Sequence, residues 1–239
     1  MDHFTGVYKN QPREYHQMIE VEDFENNLLK AILRFTPISS NRVLDIGSGT
    51  GRLPLLFHAQ NADLLALDIS FPMLLEQRAQ KQNIGGKWEL IQGDMRILPV
   101  RDSWADVTTA GWAAGHFCGW FPETWQQEID RFILEMQRVT RPGGALFIME
   151  TLGTGRKTPA PPTRALHEYY QRIESQWGFQ REVIRTDYKF QSVSDAIEKT
   201  AFFFGQELAE TIDKNEWQIV PEWTGVWHRV NKVFISFNL

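Results

Sequence analysis

The sequence predicts an α/β protein built on a doubly wound, mostly parallel sheet. Three observations carry this. Short, nearly all-apolar runs recur at Val43–Ile46, Leu64–Leu67, Trp88–Ile91, Ala105–Ala110 and Ala145–Met149. Stretches of helical spacing separate them, and strands without a polar face need cover on both sides of the sheet. The first run also enters a glycine loop, Gly47-Ser48-Gly49-Thr50-Gly51. There the missing Cβ atoms let the backbone turn sharply and come close to a ligand, and the N–H groups of the next helix face the same space.

Composition sets the outer limits. The 239 residues are 42% hydrophobic and 23% charged, which excludes disorder and fibrous classes. A net charge of -5 gives no global basic field for nucleic acid or an anionic membrane. The single cysteine, Cys118, excludes a disulfide framework and a cysteine zinc site. No metal is expected. The residues from Met1 lack the basic and apolar parts of a signal peptide, and no run of about 18 apolar residues occurs. The expectation is therefore a cytoplasmic protein without a membrane partner.

Along the chain, residues 3–19 read as an irregular or short helical arm with Tyr8, Tyr15 and His16 as its conspicuous side chains. Phe24, Leu28, Ala31, Ile32 and Phe35 predict a helix over 20–35, stopped by Pro37. After the first strand and its loop, a helix is expected over 51–60, with Pro54 tolerated in its first turn. The second strand ends in Asp68. Ser70 is the expected cap of the next helix, which should bury Phe71, Leu74, Leu75 and Ala79. The third strand leads to Asp94-Met95, and the fourth opens into Gly111-Trp112-Ala113-Ala114-Gly115-His116. Trp125, Ile129, Phe132, Met136 and Val139 mark the most regular helix, ended by Pro142-Gly143-Gly144 before a fifth strand that closes on Glu150. Beyond it, 165–177 reads as helix, 179–190 as extended, 193–213 as a helix capped by Ser192, and 226–237 as a final strand. The expected organisation is a single domain, 1–239. It comprises an N-terminal helical cap (1–36), a ligand-binding core (41–150) and C-terminal strands with a helical insertion (151–239).

In a parallel sheet all strand carboxyl ends share one edge. Asp45, Asp68, Asp94 and the loop after Ala110 should converge there. A carboxylate after the second strand is placed to accept from ribose hydroxyls, and one after the third from an adenine amine. Arg52 stands where a dinucleotide fingerprint wants its third small residue, so it disfavours a pyrophosphate.

These residues resemble the class I S-adenosylmethionine-dependent methyltransferases over about residues 20–150. Val43 to Gly51 is similar to that family's first motif, Leu67-Asp68-Ile69-Ser70 to its second, Gln92-Gly93-Asp94-Met95 to its third, and Arg138 to Leu146 to the approach to its fifth strand. The resemblance implies a Rossmann-like sheet of seven strands, the last antiparallel, and S-adenosyl-L-methionine as cofactor. It implies donor contacts from Asp45, Gly47, Ser48, Gly49, Gly51, Asp68, Ile69, Asp94, Met95, Gly111 and Trp112. His116 is the candidate base, with Trp112 as a candidate wall for the sulfonium or the substrate. Tyr8, Tyr15, His16 and Glu150 are candidate acceptor contacts. The loop 111–117 lacks the Asn/Asp-Pro-Pro-aromatic and Pro-Cys patterns of enzymes acting on DNA bases, glutamine and pyrimidine carbons. A small-molecule acceptor is the expectation, and RNA or protein is disfavoured. A nicotinamide-dependent oxidoreductase and a non-catalytic binding protein on the same fold stay as alternatives.

Overall fold

The computed structural model describes residues 3–232. Helices α1 (His3–Asn10), α2 (Pro12–Ile19) and α3 (Asn27–Phe35) precede β1 (Arg42–Ile46), α4 (Arg52–His58), β2 (Asp63–Asp68), α5 (Phe71–Asn83), β3 (Glu89–Gln92) and β4 (Ala105–Gly111). A 3-10 turn, Ala114–His116, runs into α6 (Phe117–Trp120), followed by α7 (Trp125–Val139) and β5 (Thr140–Thr154). The remainder is α8 (Arg164–Ser175), β6 (Gln180–Arg185), β7 (Tyr188–Lys189), α9 (Val193–Phe204), α10 (Gln206–Asn215), β8 (Ile219–Val220) and β9 (Glu222–Val230).

The main sheet has seven strands in the order β3-β2-β1-β4-β5-β9-β6. β1 to β5 pair in parallel, and β9 lies antiparallel between β5 and β6. The predicted Rossmann-like sheet with an antiparallel last strand is the one observed. Val43, Leu44 and Ile46 have no exposed surface, as a central strand requires. One face packs on α7 and α8 through Phe132, Ile133, Met136 and Tyr169. The other packs on α3 and α4 through Leu28, Ile32 and Phe57. Each such side chain contributes roughly 1.5–3 kcal/mol over the exposed state. A third apolar cluster joins α2, α9 and α10 to the two-stranded sheet β7-β8, through Met18, Phe190, Ala196 and Ile212.

Several boundaries differ from expectation. The arm is two helices, so residues 3–19 are more regular than the sequence suggests. α3 starts at Asn27, because the Asp23 carboxylate accepts the Asn27 and Leu28 N–H groups (2.8 and 2.9 Å). Asp23 and Asn26 also hold positive φ, which a continuing helix forbids. Ser70 occupies the cap position of α5 without a side-chain bond, and α5 buries Met73, Leu74 and Gln77 while Phe71, Leu75 and Ala79 stay exposed. β5 begins directly after α7, so Pro142-Gly143-Gly144 lies within its span, held by Asn231 through bonds to Gly143 N–H and Gly144 C=O. The stretch 179–190 divides between two sheets. The helix from Ser192, whose Oγ does accept the Asp195 N–H, breaks at Gly205, where φ is +85°. The final strand starts at Glu222, and the expected strand residues Val233, Ile235 and Phe237 lie outside the described residues.

Candidate active site

The carboxyl ends of β1 to β4 meet the arm around a cavity with about 1010 Å³ of space free of protein atoms, part of it open to solvent. Asp45, Gly47, Ser48, Gly49, Asp68, Ile69, Asp94, Met95, Gly111 and Trp112 line it, with Tyr8, Tyr15 and His116 from the acceptor candidates. Gly51, His16 and Glu150 do not.

The glycine loop is held from two sides. Asp68 accepts the Gly49 N–H through Oδ2 and the Ser70 N–H through Oδ1, both at 2.7 Å. Burial raises the Asp68 pKa against these bonds. The Gln77 amide meets Ser48 Oγ at 2.9 Å. Gly47 and Gly49 have positive φ, and a Cβ on Gly47 would lie 2.4 Å from Ala113 Cβ. The close approach therefore needs glycine there. Gly51, also at positive φ, does not line the cavity, and a Cβ added there would meet Gln77.

Asp45 is buried at the cavity and accepts from Thr109 Oγ1 at 2.6 Å. Burial pushes its carboxyl up to about 7. A cationic group brought to that end would hold it ionised. Asp94 is already engaged: Arg96 grips both of its oxygens at 2.5–3.1 Å and holds its carboxyl below the usual range. Arg96 also reaches Glu128 at 2.7 Å and lines the cavity beside Phe117 and Phe121. Sequence reasoning missed it. Its only local signal is its place two residues after Asp94.

Trp112 holds a positive φ of 51°, a costly conformation for a bulky residue. Its ring lies on the Arg52 guanidinium, 3.9 Å from Cζ to the centroid. Trp112 thus stacks on a cation of the chain itself. Arg52 pairs with Glu22 at 2.7 Å.

Across the cavity lining, Tyr8 Oη and His116 Nε2 are 3.0 Å apart, and His116 stacks on Trp120. Tyr15 meets Tyr8 edge-on, with centroids 5.3 Å apart. His16 lies outside the cavity lining: its Nδ1 is 3.0 Å from Thr50 Oγ1, so it ties the arm to the glycine loop, and burial lowers its pKa. Glu150 also lies outside the lining and accepts the Gly115 N–H at 2.9 Å beneath the 3-10 turn that carries His116. Burial pushes it up to about 8. Cys118 packs, its thiol pushed up to about 12 by burial. The sequence-local basic residues Arg138, Arg141 and Arg164 form ion pairs with Glu135, Asp106 and Glu168.

The residues fit S-adenosylmethionine at three places. A Cβ-free cradle sits at Gly47, Asp45 is buried without a cation, and Asp68 is exposed to the cavity at the end of β2. At Asp94 an adenine amine would share the carboxylate with Arg96.

Comparison with known proteins agrees. Residues 44–148 match the family described as a methyltransferase domain. The malonyl-[acyl-carrier protein] O-methyltransferase of Legionella pneumophila is 28% identical over 62% of this chain and 49% of its own length. A ubiquinone/menaquinone biosynthesis C-methyltransferase from Dinoroseobacter shibae is 30% identical over 61% of this chain and 57% of its own. The matches thus span about half the length of these curated relatives. In fold, the Haemonchus contortus phosphoethanolamine N-methyltransferase 2, solved with phosphomonomethylethanolamine and S-adenosylhomocysteine, aligns over 98% of this chain and 61% of that one (TM-score 0.61, 16% identity). The motifs, the sheet order and the domain match agree, and residues 44–148 are similar to the methyltransferase-domain family.

Proposed function

We propose that this protein transfers the methyl group of S-adenosylmethionine to a small-molecule acceptor whose nucleophile loses a proton to His116. The single observation behind the acceptor half is the Tyr8–His116 bond of 3.0 Å at the cavity wall, facing the donor cradle. When bound, S-adenosylmethionine supplies an electrophilic methyl on a sulfonium. The protein's share is placement and proton handling. Asp68 accepts from ribose hydroxyls, Asp45 faces the ammonium, Gly47 and Gly49 admit the donor chain, and Met95 with Asp94 borders the adenine. Aligning the reactants in a water-poor cavity supplies much of the rate. Tyr8 holds the imidazole through Nε2 in the ligand-free cavity, and an acceptor O–H, N–H or activated C–H that displaces its hydroxyl would meet that nitrogen. Glu150 sets the position of that turn from below. Two relatives are named for O- and C-methylation, so a proton-removing base on this fold suits more than one kind of nucleophile.

The net charge of -5 and the ion-paired arginines favour a small acceptor over nucleic acid. Among the described residues no helix is long and apolar enough to cross a membrane. A buried, unreactive Cys118 fits a cytoplasmic setting. Calorimetry with S-adenosylhomocysteine and NAD tests the donor; binding of NAD alone would sink the reading. His116→Ala should keep donor binding and lose turnover on any acceptor that the native protein methylates. Undiminished turnover would remove the base.

A further inference from the structure

The Tyr8 side chain sits at the cavity wall much as a ligand would. Its Oη is 3.0 Å from His116 Nε2. Its ring is nested among other rings, edge-on to Tyr15 at 5.3 Å and to His116 at 5.4 Å, and tilted against Phe203 of α9 at 6.3 Å. Tyr8 and His116 are both half-buried, and both line the cavity. The nest thus already holds one phenol, with its hydroxyl on a basic nitrogen. The helix that brings it is lightly held. Among its eight residues α1 buries only Val7, whereas α2 buries His16, Met18 and Ile19. Gln11 joins the two with non-helical backbone (φ -134°, ψ 41°), so α1 can shift while α2 stays packed. The surroundings narrow what could replace the phenol. The cavity residues of α1, α2 and the loop 111–121 include no acid; the lining acids Asp45, Asp68 and Asp94 lie in β1, at the end of β2 and after β3. Arg52 already stacks on Trp112. A cationic amine would therefore find no counter-charge beside His116. A phenol titrates near 10 and imidazole near 6.5, close enough for proton transfer, whereas an aliphatic alcohol holds its proton far more tightly.

Resting on the methyltransferase reading above, we propose that Tyr8 is a built-in placeholder for the acceptor and that the acceptor is a hydroxyarene. Its hydroxyl takes over the bond to His116 Nε2 as α1 yields, and Tyr15 and Phe203, which touch Tyr8 in the ligand-free cavity, then border its ring. The imidazole takes the phenolic proton, an oxygen lone pair forms the bond to the methyl carbon, and the electron pair of the breaking C–S bond stays on sulfur. An aryl methyl ether, a neutral thioether and one proton result.

The test uses p-cresol and 7-hydroxycoumarin, each beside its methyl ether, with cyclohexanol and benzylamine as the rival classes. All are titrated calorimetrically into the protein with and without saturating S-adenosylhomocysteine. At least one phenol should bind ten-fold or more tightly than its ether and than both rivals. His116→Ala should erase the preference for the hydroxyl, and His116→Asn repeats the measurement should the first variant fail to fold. Tyr8→Phe, which keeps the ring and removes the competing hydroxyl, should tighten the phenol several-fold, an effect that a wall residue in contact with the acceptor would not give. Arg164→Gln, on an exposed pair, serves as the control with no change. Equal binding of every phenol and its ether overturns the proposal, as does tightest binding of cyclohexanol or benzylamine. Unchanged or weaker phenol binding in Tyr8→Phe overturns it too, because Tyr8 would then not stand in the acceptor's place. Phenol preference without any S-adenosylhomocysteine binding would instead sink the donor reading and leave the hydroxyarene site standing.

Discussion

Asp68 accepts the Gly49 amide at 2.7 Å, so the acid that ends β2 shapes the loop that follows β1. One side chain therefore both holds the glycine loop and lines the cavity. Asp68→Ala should weaken S-adenosylhomocysteine binding by at least about 1–3 kcal/mol, the range for unpairing buried polar groups, and should also lower the melting temperature. Calorimetry and a thermal melt read both. Unchanged affinity would refute the ribose role.

Gly47 has no room to spare. With φ at +71° and a Cβ landing 2.4 Å from Ala113, Gly47→Ala should cost about 1–3 kcal/mol of stability through overpacking. S-adenosylhomocysteine should recover less melting temperature in the variant than in the native protein. Gly119→Ala, where a Cβ meets nothing within 4 Å, should be near neutral.

The buried acids give a pH dependence with a definite sign. Asp45 is pushed up to about 7, and Glu150 and Glu222 up to about 8, all mainly by burial. Unfolded carboxyls titrate near 4. Between about pH 4 and 8 the folded chain thus binds more protons, and stability from these groups falls as pH rises. The carboxyls held low by arginine, Asp94 and Glu135, act in the other direction, losing their contribution only as pH drops below about 4. The ligand-free melting temperature should fall from pH 5 to 8, and Asp45→Asn should flatten the slope. A ligand ammonium at Asp45 would release its proton, so S-adenosylhomocysteine affinity should rise through pH 7 in the native protein only. Calorimetry in buffers of different ionisation heat measures that proton.

For the acceptor half, His116→Ala should lower kcat by about 10²–10⁴ with donor affinity preserved. Tyr8→Phe should cost less, since the ring remains and only the bond to Nε2 is lost. A Tyr8→Phe loss as large as that of His116→Ala would make the phenol, not the imidazole, the proton acceptor.

The sheet was legible because each strand is an apolar run with a helix-period stretch beside it, and the donor side because its acids end those runs. Helix starts were harder. Asp23 caps α3 from four residues upstream, and no stripe of Leu28, Ala31 and Ile32 records that. The acceptor side was least legible. The pair Arg52–Glu22, the contact of His16 with Thr50 and the bond of Glu150 to Gly115 join positions about 30 residues apart, and each looks in sequence like an ordinary surface or pocket residue. Burial assigns their roles, and burial follows from how the arm folds back over β1 and β4.

β9 is the last described strand, yet it is interior to the sheet, between β5 and β6. During synthesis the donor-binding half can therefore pair up while β5 still shows a bare edge and β6 has nothing to rest on. A chain stopped before Glu222 would keep every cavity motif and be prone to stick to its own copies through that edge. For laboratory work, activity lost in such a truncation would report on solubility before it reported on chemistry.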